Sequence, residues 1–260
     1  SWAGFHAGGV ARVRPRAPTM RRVTFAPIDG EALPQDRPHG GHCRLRFPEC
    51  GTGAPARPRA FTYRHWHADG RFDVDFVFHA GDGPAARWLR QTHPGDRIAW
   101  RHGGPPKISL DRPADDRTIL VSDLSGLPVM AALAERAHPV RQVELLLLAP
   151  PEARPDIAHT DGRPFTVRQL SSPDAVEAHL CRHASPHDTL VFAACEASQM
   201  RRYRRLLLDD LGLPGSRVIT SGYWKDGLTT EEVDLAKRRP DWFGDESPHS
   251  GTLASPRRAM

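Results

Sequence analysis

The chain has 260 residues, 39% hydrophobic and 26% charged, enough to bury a core without disulfide or metal staples and too apolar to be disordered throughout. Its longest unbroken aliphatic run, Leu145 to Ala149, falls far short of the ~18–20 residues that a membrane-spanning helix requires. Of 36 Lys and Arg residues only Lys107, Lys225 and Lys237 are lysines; the arginines are scattered among acids without an aromatic-interleaved basic stripe, so the net charge of +5 does not point to nucleic acid.

The first half reads as short strands broken by Gly, Pro and His, the pattern of a small antiparallel barrel. Arg21 to Phe25 and His42 to Phe47 are strand candidates, separated by loops rich in Gly and Pro. The clearest strand is Phe72 to His79, where Phe72, Val74, Phe76 and Phe78 share one face at period two and Asp73 and Asp75 take the other. It leads through Gly83-Pro84 into a helix from Ala85 to Gln91.

From about Arg112 the texture changes. Predicted strands at Arg117–Ser122, Val143–Ala149, Phe165–Leu170, Thr189–Ala194 and Arg217–Ser221 alternate with predicted helices at Val129–Ala137, Asp174–His183 and Ser198–Leu211. Such alternation implies a parallel sheet with helices on both faces. The expected fold is therefore an N-terminal antiparallel β-barrel over 12–113, a C-terminal parallel-sheet α/β domain over 114–239, and a flexible polar tail over 240–260. The four cysteines show no close metal-ligand spacing and the first residues show no signal-peptide pattern; a reducing cytoplasm is the expected compartment, with no metal site expected.

Ligands of open parallel sheets bind beyond the C-terminal ends of the strands, which places the chemistry near Ser122–Pro128, Ala194–Met200 and Ser221–Gly227. Cys195 and Glu196 stand where a strand gives way to a helix. A cysteine there would face a cofactor across the sheet edge, with its thiol pKa lowered by the helix N-terminus, although a small buried residue is the more frequent reading as far as reactivity goes. Tyr223, Trp224 and Lys225 after the last strand could form a lid over a planar ligand. Arg201 and Arg205 lie on one face of the preceding helix, either solvated or available to an anion. In the first half, Arg59, Phe61 and Tyr63 offer a cation, a ring and a hydroxyl at alternate positions, which suits a flavin with its diphosphate or an ordinary half-buried strand. Gly83-Pro84-Ala85 opens a helix whose free amides favour a phosphate, or else forms a plain strand-to-helix turn.

In this order the segments resemble the siderophore-interacting protein family of FAD-dependent ferric-siderophore reductases, from about Pro18 to Gly227. Pro18-Thr-Met-Arg-Arg-Val-Thr-Phe25 is similar to the opening strand. Arg59-Ala-Phe-Thr-Tyr-Arg64 is similar to the R-x-Y-T-x-R flavin motif, and Asp75-Phe-Val-Phe-His79 with Gly83-Pro-Ala-Ala-Arg-Trp88 to D-F-V-x-H…G-P-A-x-x-W. Ser122-Asp-Leu-Ser-Gly-Leu-Pro128 resembles G-D-E-T-A-L-P, and Ser221-Gly-Tyr-Trp-Lys-Asp-Gly227 the G-Y-W-x-x-G ending. The resemblance implies a ferredoxin-reductase-like fold with an FAD-binding barrel. It implies flavin contacts at Arg59, Phe61, Thr62, Tyr63, Val77, Phe78, His79, Gly83, Pro84, Ala85, Asp123 and Ser125, and a nicotinamide edge at Cys195 and Glu196. NADH or NADPH would be the electron donor, and a ferric siderophore the small-molecule substrate. A basic rim of Lys225, Arg201 and Arg205, with Tyr223 and Trp224, would receive that substrate, with no acid–base pair and no membrane insertion required.

Three positions depart from the family pattern. Phe61 replaces Tyr, Leu124 stands where Glu is usual, and Ala194-Cys-Glu196 replaces A-G-E, Cys195 and Met200 being closer to the C-G-P-x-x-M string of the wider superfamily. Two further readings therefore stand beside the reductase: a repurposed FAD-binding enzyme acting on an organic metabolite without nicotinamide, and a non-catalytic binder of a chelated metal or anion.

Overall fold

The structure, a computed structural model, describes residues 4–17, 19–28, 37, 39–48, 58–77, 83–153, 157 and 166–243. The first region is a seven-stranded antiparallel sheet: β1 His6–Ala17, β2 Met20–Pro27, β3 His42–Arg46, β4 Arg59–Thr62, β5 His65–Trp66, β6 Phe72–Val77 and β7 Arg97–His102, with α1 Pro84–Gln91 between the last two. Spatial order is β4-β3-β7-β1-β2-β6-β5. The sheet curls far enough for Phe61 of β4 to meet Phe76 of β6, ring centroids 4.7 Å apart. The apolar face predicted for β6 is its core face, with Phe72, Val74 and Phe76 buried beside Val23, Phe25 and Trp100.

Asp73 and Asp75, on the other face of β6, are buried too. Their cross-strand neighbours on β2 are Thr24 and Arg22. Thr24 Oγ1 donates to Asp73 at 2.7 Å, and Arg22 grips Asp75 with two hydrogen bonds of 2.6 and 2.8 Å. A buried carboxylate persists only when paired in this way.

β1 and β7 were not legible as strands. The Gly8-Gly9 pair at the head of β1 reads as a loop, yet Gly8 lies in the strand because the Trp100 indole fills the place of a side chain: a Cβ there would fall 2.9 Å from Trp100 Cδ1.

The second region is a five-stranded sheet, parallel throughout, formed by β8 Arg117–Asp123, β9 Gln142–Leu148, β10 Thr166–Leu170, β11 Thr189–Glu196 and β12 Val218–Trp224. Its order β10-β9-β8-β11-β12 reverses direction at β8. The helices are α2 Leu127–Glu135, α3 Pro173–His183, α4 Ala197–Arg205 and α5 Thr230–Ala236. Residues of α3 and α4 pack on one sheet face with Cys195, Val121 and Ile119. α2 packs on the other with Leu120, Phe192 and Ala194, together with Met20 and Val77 from the first region. Helical spacing in the sequence puts Met200, Tyr203, Leu207 and Leu211 on one apolar stripe; the first three are buried and Leu211 is half-buried.

The single helix expected over Ser198–Leu211 is α4 followed by a π-helical turn, Leu206–Asp210. Past residue 239, where a frayed tail was expected, Pro240–Phe243 form a 3₁₀ turn that buries Trp242 against Gly222. No described helix is long and apolar enough to cross a membrane.

Candidate functional site

Sheet reversal at β8 creates a crevice at the carboxyl ends of β8 and β11, facing the first region. Asp123, the last residue of β8, organises it. Its Oδ1 accepts hydrogen bonds from the Ser125 amide at 2.8 Å, the Ser125 hydroxyl, and the Gly126 amide at 3.2 Å. Its Oδ2 accepts the Glu196 amide at 2.9 Å and the Trp224 indole N–H at 2.8 Å. One carboxylate thus ties the ends of three strands together.

Glu196 caps α4, its Oε2 accepting the Ser198 and Gln199 amides at 2.6 and 3.0 Å. Lys225 folds back onto the same place, donating to Ser198 Oγ and lying 3.6 Å from Glu196 Oε1. Tyr223 crosses the other way to the Thr62 side chain on β4, and burial foremost pushes its hydroxyl up in pKa. The two motifs meant to flank a flavin, one on each region, therefore touch.

Further along β4, the Arg59 guanidinium comes to the start of α1: a Cβ on Gly83 would lie 3.9 Å from Arg59 Nη1. Gly83 is the N-cap in extended conformation and provides no side-chain cap, and Pro84 occupies the first turn. The first amides of a helix have no intrahelical acceptor, so Ala85 and Ala86 remain available beside a guanidinium. That pairing suits a phosphate.

Other expected residues stand elsewhere. Tyr63 is sealed in the core of the first region, its hydroxyl 2.8 Å from His102 Nδ1; β4 ends at Thr62, and the alternation that would have placed Tyr63 beside Phe61 ends with it. Phe61 is half-buried among Phe47 and Phe76. Val77 is half-buried and pairs with Met20 at the contact between the regions. Phe78 and His79 lie outside the described residues.

Cys195 is 1% exposed and packs with α3 and α4 residues, on the face away from the crevice. Burial, then the Asp123 and Glu196 carboxylates, push its thiol well above the ordinary range, in line with the small-buried-residue reading of its reactivity and against a lowering by the helix N-terminus. Arg201 is committed to the chain end: its Nε donates to the Trp242 carbonyl at 2.6 Å and its guanidinium lies over the Trp242 ring. Arg205 is exposed in the last turn of α4, at the opposite end from Glu196.

Two features escaped the sequence reading. One is a bidentate ion pair between Arg64, after β4, and Glu135 at the end of α2, which clamps the two regions; its Nη1 bond is 2.5 Å. Arg64, Arg22, Arg16 and Asp75 line an open cleft whose far wall is apolar, with Leu124 and Leu127. The final Arg of R-x-Y-T-x-R was the available signal.

The other is a group of basic residues from separate segments: His42 and Arg44 on β3, Lys107 in the connection to β8, and Lys237 after α5. Lys107 Nζ donates to the Thr220 carbonyl at 2.6 Å. Burial foremost lowers the pKa of His42, Lys107 and Lys237. Neighbouring positive charges add to this: Lys107 acts on His42, Lys237 on Lys107, and Arg44 on Lys237, whose nearby Asp234 opposes the effect. His42 is the cross-strand neighbour of Thr62, so the group flanks the Thr62–Tyr223 contact. Its members are too far apart in sequence to form a visible pattern.

Comparison with known proteins agrees with this arrangement. The pattern of the family described as siderophore-interacting protein matches residues 115–227, and that of the siderophore-interacting FAD-binding domain matches residues 52–105. The chain is 27% identical over 189 residues to the mycobactin import ATP-binding/permease protein IrtA of Mycolicibacterium thermoresistibile, covering 71% of this chain and 21% of that protein. It is 21% identical over 182 residues to ferric acinetobactin reductase of Acinetobacter baumannii, covering 68% of this chain and 63% of the relative. The chain thus spans less than two thirds of the length of both.

Among solved structures, the siderophore-interacting protein of Acinetobacter baumannii superposes with a TM-score of 0.77 at 18% identity, over 90% of this chain and 96% of that one. Phthalate dioxygenase reductase superposes with 0.64 at 16% identity, over 85% and 68%. With the two siderophore-interacting family patterns matched on either side of one crevice, and an antiparallel sheet feeding a parallel α/β sheet, the chain belongs to the siderophore-interacting protein family and has a ferredoxin-reductase-like fold.

Proposed function

We propose that the chain is an FAD-dependent reductase that delivers electrons to Fe(III) held in a siderophore, so that iron leaves as Fe(II). The observation that carries this is the pairing of Arg59 with the uncapped start of α1, at one end of a strand whose other end, Thr62, meets Tyr223. These residues fit FAD. Arg59 and the amides of Ala85 and Ala86, opened by Gly83 and Pro84, would hold the diphosphate, while Phe61, Thr62 and Val77 would orient the ring end. Asp123 and Ser125 act behind them by fixing Trp224, and through it the position of Tyr223. Bound FAD would accept and pass on electrons; the protein supplies binding, orientation and charge.

Hard, anionic oxygens hold an ion of charge two less strongly than one of charge three, so reduction favours release. An anionic ferric complex would be drawn to positive charge at the rim. Lys225 and Arg201, the sequence candidates for that rim, are engaged within the protein, and Arg205 lies at the far end of α4. Arg44 and Lys237, with Lys107 held to the Thr220 carbonyl beside them, are better supported for this role because they border the Thr62–Tyr223 contact. The free thiols of Cys43, Cys181 and Cys195 suit a reducing compartment, which supports a cytoplasmic site of action.

Anaerobic stopped-flow mixing tests the reading. Protein whose flavin has been chemically reduced should recover its yellow band on mixing with a ferric siderophore and not with iron-free siderophore. Equal recovery in both would contradict it. Leu124 on the cleft wall and Phe61 in place of Tyr favour the second reading, an FAD enzyme acting on an organic metabolite, since both make the surroundings more apolar. That reading predicts bound FAD, no bleaching by NADH or NADPH, and no reoxidation by ferric chelates.

A further inference from the structure

A parallel α/β sheet ordinarily receives the diphosphate of a dinucleotide on the amides where a strand turns into a helix. Two such turns border the crevice, and in both the amides already hold an anion of the chain itself. After β8, the Ser125 and Gly126 amides are taken by Asp123. After β11, the Ser198 and Gln199 amides are taken by Glu196.

Two further observations close these places to a phosphate. Gly126 lacks a side chain for the sake of β11, not of a ligand: a Cβ there would fall 2.0 Å from the Ala194 carbonyl oxygen. Lys225, the cation nearest the start of α4, is spent on Ser198 and Glu196, while Arg202, Arg204 and Arg205 sit in the last turn at the opposite end. A diphosphate brought to either turn would meet a fixed carboxylate on the same amides, and like charges at that separation repel.

We propose that Asp123 and Glu196 are selectivity residues that exclude the diphosphate of NADH or NADPH from both helix starts, so that the chain is reduced by a donor other than a dinucleotide bound there. This goes beyond the reductase reading, on which it rests only in needing a donor. It holds for the described residues, and it turns the expected nicotinamide edge at Cys195 and Glu196 into a closed one.

The experiment is titration of the purified, FAD-loaded protein with NADH, NADPH and inorganic diphosphate, followed by calorimetry and by the amide NMR signals of Ser198 and Gln199. In the wild type neither amide should shift and no saturable heat should appear. Glu196→Gln keeps an acceptor for the cap but removes the charge; it should bind NADPH and diphosphate at least about tenfold tighter than the wild type, with both amides shifting. Glu196→Ser, a good N-cap residue, provides a second variant with the same expected gain.

Saturable wild-type binding that shifts the Ser198 and Gln199 amides would overturn the proposal, as would two folded variants with no gain over wild type. The visible flavin band is recorded on every sample, so failure to retain FAD counts against the function proposed above, and the binding result is read separately.

Discussion

At the scale of single residues, Arg59 carries the most specific expectation. Its guanidinium is at the start of α1, whereas Arg46, on neighbouring β3, lies over the Phe5 ring. Arg59→Ala should lose FAD during gel filtration at least about tenfold more readily than Arg46→Ala, since charge-assisted bonds to phosphate are among the stronger polar contacts. Equal retention would displace the flavin from this strand. His39 gives a pH prediction. Burial, then the charges of Arg136, His65 and Arg64, lower its pKa from 6.5 to about 4. A group depressed in this way leaves the unfolded chain binding the extra proton, so its contribution is present above 6.5 and is lost as pH falls toward 4. His39→Gln should therefore lose less stability than wild type between neutrality and about pH 5 in urea unfolding. Parallel pH curves would contradict the assignment.

Cys195 illustrates why residue roles were harder to read than residue positions. The sequence located it correctly at the end of a strand, but side chains alternate between the faces of a sheet. Ala194 joins the face toward the first region and Cys195 the face toward α4. Which face meets the crevice is decided by where the first region docks, and nothing local to Cys195 records that.

At the scale of elements, those with a strong period were legible: the apolar alternation of β6, the aliphatic β8 and β9, and the stripe of α4. Elements shaped by a distant partner were not. β1 contains glycines and a proline, and it becomes a strand because β2 and β7 flank it and Trp100 covers Gly8. The same reasoning ranks two substitutions. Gly8→Ala pushes on a side chain that can turn, and should cost about 1–3 kcal/mol. Gly126→Ala pushes on the backbone of β11 and should cost more. A Gly126→Ala midpoint in urea no lower than that of Gly8→Ala would show that the α2 start is not packed against β11.

At the scale of the whole molecule, the contact between the two regions depends on the Arg64–Glu135 pair, with Arg64 only 5% exposed at its side chain. Glu135→Gln leaves the buried Arg64 with only the Asp75 carboxylate, 3.7 Å away and already gripped by Arg22, so it should destabilise by about 3 kcal/mol, and Arg64→Met with Glu135→Leu together should cost less than the single change. Additive costs would argue against the pair. The architecture, and the crevice between a flavin motif and a G-Y-W motif, could be read from the order of segments along the chain. The cation group at Arg44, Lys107 and Lys237 and the self-capped helix starts could not, because each is created by residues that meet only after folding.

The central claim is that FAD lies across this crevice with its diphosphate between Arg59 and the start of α1. A crystal structure of the FAD-loaded protein tests it most directly. Density for the two phosphates within hydrogen-bond reach of the Arg59 guanidinium and the Ala85 or Ala86 amide is the expected result; FAD ordered elsewhere, with Arg59 and the α1 start not touching it, would contradict the account.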